Sequence, residues 1–144
     1  MIINKQFNII TEQHELFIDI TKKIEKIVAD TKIVNGQVTV YSMHTTLGIK
    51  VMEMEDLLKA DLKNFLYRLA PMNGVYYHNN TQIRQVPDNE RLNAHSHIWS
   101  FVIDSSSTIP IINGMVYLGK WQKIVAIECD AGRERGIVVQ VSGE

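Results

Sequence analysis

About eight short β-prone runs surround only two clear helical stretches, with no regular βαβ alternation, and this constrains the fold most. Parallel neighbours need a long crossover, usually a helix, between successive strands. The sequence is therefore predicted to be α+β with mostly antiparallel pairing. FNIIT (7–11) and LFIDI (16–20), joined by the polar EQH, read as an opening hairpin. Ile20, Ile24, Ile27 and Val28 then recur at helical spacing, with Thr21 or Asp19 available as N-cap. The turn signal Asn35-Gly36 launches QVTVYSM, and LGIKVME follows with Leu47, Ile49 and Val51 on one side.

Asp56 is placed to cap the clearest helix, over 57–69, whose apolar stripe is Leu58, Leu62, Phe65, Leu66 and Leu69 and which Pro71 stops. Residues 73–93 are polar and pattern-free, which predicts a long loop of the functional or mobile kind. Asn93 then caps a short helix in which Ile98, Phe101 and Val102 share a face. TIPII, Asn113-Gly114 and MVYL read as a hairpin, and KIVAIECD with GIVVQVS as a closing pair of strands. IVAIE and IVVQV are apolar almost throughout, as expected of a sheet covered on both faces, with another subunit as one cover.

The 144 residues suit one domain, 1–144, and no linker or repeat divides them. With 45% hydrophobic and 22% charged residues the composition is that of an ordinary globular chain. A net charge of -1 lacks the basic footprint of a nucleic-acid binder, so no nucleic-acid partner is expected. No apolar run approaches a membrane span, and Met1 to Ile10 lacks the pattern of a signal peptide. The sole cysteine, Cys129, cannot form an internal disulfide; the default expectation is cytoplasmic, with no membrane partner.

His44 stands at the junction of two strands that both look buried, in MHTTLGIKVMEME. Either its ring bonds to nearby backbone in the core, or the strand end is a rigid mount for a ligand. His95 and His97 diverge by roughly 200° on a helix, so only one could face a site, whereas on a strand both would share a face. His78 lies in the YYHNN of the long loop, and His14 in the polar turn before the second strand. Three imidazoles brought together would suit zinc or a related divalent ion, with a position left open for water or substrate. Glu53 shares a strand face with Val51, where it would act as a general base or hold an imidazole tautomer. Asp56 and Glu55 are explained by the helix N-terminus alone. Arg133 and Arg135, in the turn CDAGRERG, suit bidentate binding of phosphate or carboxylate, or are simply solvated. GKWQ offers Trp121 as an aromatic wall and Gln122 as an orienting amide, against core packing of the indole.

HTT at residue 44, an acid nine positions on, YxH, SHI, TIPI, G-x-WQ and the terminal VSGE occur in an order and spacing that resembles the YjbQ family along essentially the whole chain. Secondary thiamin-phosphate synthase activity is assigned to that family. The resemblance implies a sandwich of two sheets with two main helices, trimerising with its sheets around a threefold axis. It also implies a polar site near the subunit boundary. Carried over, the metal ligands are His44, His78 and His97; Thr45 and Trp121 bind the ligand; Glu53, Gln122, Arg133 and Arg135 act on it. His97 is thereby selected over His95. The implied reaction joins a pyrimidine pyrophosphate to a thiazole phosphate, with zinc expected from the histidines and magnesium as the commoner choice for pyrophosphate. The expected partners are a homotrimer and a small phosphorylated molecule. The alternatives are a non-catalytic trimer binding a metal or small anion, and a metal-assisted hydrolase. The chain differs from the family pattern at WSFVIDSSS and at DAGRER.

Overall fold

In chain order the computed structural model, which describes residues 1–12 and 15–144, contains β1 (Ile2–Ile10), β2 (Phe17–Asp19), α1 (Thr21–Thr31), β3 (Gly36–Ser42), β4 (Leu47–Met52) and α2 (Asp56–Leu69). A 3₁₀ turn (Tyr77–Asn79) and the short α3 (Thr81–Arg84) precede α4 (Ala94–Ile103), β5 (Ser106–Ile112), β6 (Met115–Val116), β7 (Lys123–Glu128) and β8 (Glu134–Gly143). The strands form a five-stranded sheet, β1-β8-β3-β5-β6, and a three-stranded sheet, β2-β7-β4. Every pairing among the described residues is antiparallel. The expected α+β sandwich is the observed fold, with two short helical segments in addition to the three longer helices.

Two predicted pairings are corrected. The opening segments form no hairpin: β1 pairs with β8 and β2 with β7, in different sheets. Residues 13 and 14 lie between these strands in sequence, and the reading of His14 falls outside the described residues. The closing segments do not pair either, because the chain crosses from the small sheet to the large one between Glu128 and Glu134. Local pattern identifies a strand, whereas its partner is chosen by which faces bury together. The hairpin at Asn113-Gly114 does form; φ of 52° and 79° at these residues is the left-handed pair that a two-residue turn demands.

The main core lies between the sheets. Val38 and Val40, Leu47 and Ile49, Ile124 and Ala126, and Ile137, Val139 and Val141 alternate inward, while Ile24 and Val28 of α1 close the core. Each buried Val, Leu or Ile among them contributes roughly 1.5–3 kcal/mol on leaving water. Val125 and Ile127, on the other face of β7, pack with Leu66, Ala70, Trp99 and Ile103 in a second cluster. Helices of the same chain thus cover the second face of β7, so its apolar run requires no second subunit.

Helix details also differ from expectation. Glu55, not Asp56, caps α2, its carboxylate accepting from the Leu58 N–H at 2.6 Å. Of the α2 stripe only Leu66 is buried, and Phe65 and Leu69 stay half exposed. In α4 the buried residues are Ala94, His95, Ser96, Trp99 and Ile103, with Phe101 facing solvent. The Trp99 indole N–H donates to the Ala70 carbonyl at 3.0 Å, which rotates that face inward. No helix of the described residues is long and apolar enough to cross a membrane.

Candidate functional site

The buried Ser42 ends β3 with its hydroxyl turned along the chain: the His44 N–H donates to Ser42 Oγ at 3.2 Å, and that hydroxyl donates to the His44 carbonyl at 3.3 Å. This closed turn sets the half-buried His44 ring. The Gly136 N–H then donates to His44 Nε2 at 2.8 Å. Nε2 is therefore the unprotonated nitrogen, and the neutral ring carries its proton on Nδ1. Burial, with the Arg135 charge next, holds His44 below the ordinary imidazole pKa.

His97 reaches the same place from α4. It lines a cleft of about 510 Å³ together with His44, Thr45, Ser100 and Asp104. The helical divergence of His95 and His97 is realised: His97 faces this cleft and His95 turns inward beside Trp99. His78 joins through the loop. Asn79 Oδ1 accepts from the Ala94 N–H at 3.1 Å, and Arg84 donates to the His78 carbonyl at 3.0 Å. These bonds bring the His78 and His97 rings edge to face, 4.7 Å between centres. Burial, then the neighbouring His78, lowers the His97 pKa, so both cleft histidines favour their neutral form.

Two imidazoles sharing a tetrahedral zinc at about 2.0–2.1 Å have ring centres about 5 Å apart. The His78–His97 spacing fits such an ion. His44 does not complete the set, because the lone pair it would offer already accepts from Gly136. Among the described residues no three His, Cys, Asp or Glu side chains are grouped to hold one ion. A three-histidine centre is therefore not assembled by one chain in this arrangement.

The two arginines are engaged rather than free. Arg135, buried, pairs with the buried Glu128 and donates to Thr46 Oγ1 at 2.8 Å. Since Cys129 N–H donates to the Thr46 carbonyl at 3.0 Å, this pair clamps the His-Thr-Thr turn onto the end of β7. Arg133 donates to Asp130 at 2.7 Å, and Asp130 also accepts from Arg91 at 3.0 Å and from Asn93 at 2.8 Å. Burial alone would raise the Asp130 pKa, yet the hydrogen bonds from Asn93, Arg133 and Arg91 outweigh it and the net shift is downward. Glu128 and Asp130 were missed in the sequence. A carboxylate inside an apolar strand such as IVAIE signals a buried cation partner, and Arg135 is that partner.

Glu53, Trp121 and Gln122 lie elsewhere. Leu47 pairs with Glu128 and Met52 with Lys123, so β4 and β7 run side by side from the histidine cleft to the opposite end. Five steps of strand separate these ends by about 17 Å. Glu53 is exposed there, and Trp121 is 65% exposed with the Lys120 ammonium 4.7 Å from its ring centre. Gln122 Oε1 accepts from the Gly119 N–H at 2.8 Å, closing the turn that presents the indole. The packed-indole reading of Trp121 is excluded by its exposure.

The family model described as UPF0047 protein YjbQ-like matches residues 5–144. A UPF0047 protein of Methanothermobacter thermautotrophicus is 35% identical over 134 residues, covering 93% of this chain and 87% of that protein. The crystal structure of a hypothetical protein from Aeropyrum pernix superposes with a TM-score of 0.87 at 33% identity, covering 98% of each chain. A YbjQ-like protein of unknown function from Sulfolobus solfataricus superposes at 0.89 with 26% identity, covering 100% of this chain and 99% of its own.

Proposed function

This chain belongs to the YjbQ-like UPF0047 family, and on that premise we propose that it is an enzyme acting on a small phosphorylated molecule at the cleft between His44 and His97. The observation that carries this reading is the convergence of two imidazoles from separate segments on one cleft, with a third ring packed on His97. Neutral imidazoles suit proton transfer near pH 7. His44 offers Nδ1–H as a donor toward a leaving oxygen, since Gly136 holds the other nitrogen. Near His97 stand the cations of Arg84 and Arg133, which lower its pKa, and the Asp130 carboxylate, which raises it.

The specific reaction is the transfer that joins a pyrimidine pyrophosphate to a thiazole phosphate and releases pyrophosphate. Trp121 supplies a flat face for a ring, Gln122 an amide nitrogen and Glu53 a base, but these stand at the far end of β4 and β7. A homotrimer resolves the separation. Cyclic threefold assembly brings two different patches of neighbouring subunits together, and in this reading those patches are the far end of one subunit and the histidine cleft of the next. A divalent ion, zinc or magnesium, is a second reading, favoured only by the spacing of the His78 and His97 rings.

Pyrophosphate release from the paired substrates, with zinc or magnesium supplied, tests this directly. Turnover is expected in the native chain and falls by about a hundredfold or more in His44→Ala or His97→Ala. Mixed trimers of His97→Ala and Glu53→Ala chains recover part of the turnover, because some clefts then hold both intact halves. Absence of release with either ion overturns the reaction, and saturable binding without turnover assigns a binding module instead. A monomeric solution mass overturns the completed cleft, and purified protein free of metal removes the second reading.

A further inference from the structure

β1 ends the large sheet on one side with nine residues. The opposite edge, β6, has two, and the edges of the small sheet, β2 and β4, have three and six. The bonds from β1 to β8 are anchored at both ends. The Met1 nitrogen donates to the Gly143 carbonyl at 2.7 Å, the Gly143 N–H donates back at 3.0 Å, and the Thr11 N–H donates to the Arg133 carbonyl at 2.9 Å. The register between them is unbroken, from Ile2 opposite Ser142 to Ile10 opposite Glu134.

Bonded residues alternate along an antiparallel strand, so the odd-numbered residues of β1 bond to β8. Ile2, Asn4, Gln6, Asn8 and Ile10 therefore turn their N–H and C=O groups to the open side, where no strand lies among the described residues. Proline and bulges, which commonly block such an edge, are missing from β1. Ile3, Phe7 and Ile9 pack on the core, while Ile2 and Ile10 are 67% and 78% exposed.

The strand IINKQFNII reads the same from either end except at Lys5 and Phe7. A second β1 laid antiparallel about an axis at Gln6 thus meets like with like: Ile2 faces Ile10, Ile3 faces Ile9, Asn4 faces Asn8 and Gln6 faces itself. The residues with open N–H and C=O groups stand opposite one another, and each such pair exchanges two hydrogen bonds. The exposed Ile2 and Ile10 cover each other across the strands. Lys5 falls opposite Phe7, whose ring centre lies 5.5 Å from the Lys23 ammonium of its own chain.

We propose that β1 is a self-pairing edge, through which two copies of this chain join their large sheets into one continuous sheet about a twofold axis at Gln6. A twofold contact sets the same patch of each copy against itself, which is what a strand of this symmetry supplies. It is separate from the threefold contact proposed above: alone it gives two chains, and with the threefold it gives six.

Sedimentation of the native chain should give an even multiple of the chain mass. Gln6→Pro should halve it, because the N–H it removes faces the open side and serves no bond to β8. On oxidation Gln6→Cys should form a covalent pair, since residue 6 meets its own copy. Asn4→Cys should not, its counterpart lying four residues along, about 14 Å away and beyond disulfide reach. The native Cys129 is buried and does not compete. Added salt should tighten the pairing, because Lys5 and Lys23 of both copies gather near the axis and repel. A native mass of one or three chains overturns the proposal, as does a disulfide that forms as readily in Asn4→Cys as in Gln6→Cys, or pairing that weakens with salt. The native mass and the disulfide comparison stand even if Gln6→Pro does not fold.

Discussion

Arg135 and Glu128 join the two sheets of the sandwich through one buried ion pair: Arg135 stands on β8 of the large sheet, Glu128 on β7 of the small one, and their side chains are 3% and 0% exposed. The pair is bidentate, with Arg135 Nε donating to one carboxylate oxygen at 2.7 Å and a terminal nitrogen donating to the other. Glu128 also accepts from the Asp130 N–H at 2.9 Å, so the turn bearing Arg133 hangs from the same carboxylate.

Removing one partner leaves a buried charge uncompensated, which costs about 3–5 kcal/mol, whereas replacing both by apolar groups costs far less. Arg135→Met is therefore expected to lower the denaturant midpoint sharply, and adding Glu128→Leu to restore most of the loss. Urea unfolding of the three chains measures this; a double variant as weak as the single would show that the pair is not the clamp.

Gly48 sets how closely α4 approaches β4. A Cβ there would come within 2.4 Å of Ile103 Cγ2 and 3.1 Å of the Asp104 carbonyl oxygen. Gly48→Ala must push back the end of the helix that carries His97, at a cost of about 1–3 kcal/mol for overpacking. Ile103→Ala removes the clashing Cγ2, so the loss in Gly48→Ala with Ile103→Ala is expected to be smaller than the sum of the two single losses. Thermal unfolding gives the cost, and histidine resonances report whether His97 shifts; an unchanged melting temperature contradicts the close contact.

The cleft histidines make the fold sensitive to acid. His44 and His97 have folded pKa values below the ordinary 6.5. Between that value and the lowered ones the unfolded chain binds more protons than the folded chain, so stability rises with pH. It is fully present above about 6.5 and is lost as the pH falls through the folded values. Melting temperatures between pH 7.5 and 5 should decline, and His44→Gln should flatten the decline. An unchanged slope in that variant would remove His44 as a source.

Much of this protein is written locally. The alternation in QVTVYSM and LGIKVME, the Asn113-Gly114 turn, and Pro71 after α2 act through φ/ψ preference and side-chain period, which need only neighbours in sequence. The order of HTT, YxH, SHI and VSGE was likewise enough to recognise the family. Strand partners were not legible: β1 lies on β8, and β7 and β8 part into separate sheets, because pairing is decided by which apolar faces meet.

The candidate site divides in the same way. The family resemblance selected His44, His78 and His97, but only the folded chain decided that Gly136 occupies one nitrogen of His44 and that His78 lies edge to face on His97. Tertiary structure also decided that Arg133 and Arg135 are held by acids, and that Glu53 and Trp121 stand a strand's length from the cleft. The sequence by itself determined which groups are available, since chemistry belongs to single residues. Distance, tautomer and burial belong to pairs of residues remote along the chain, and packing alone brings those pairs together.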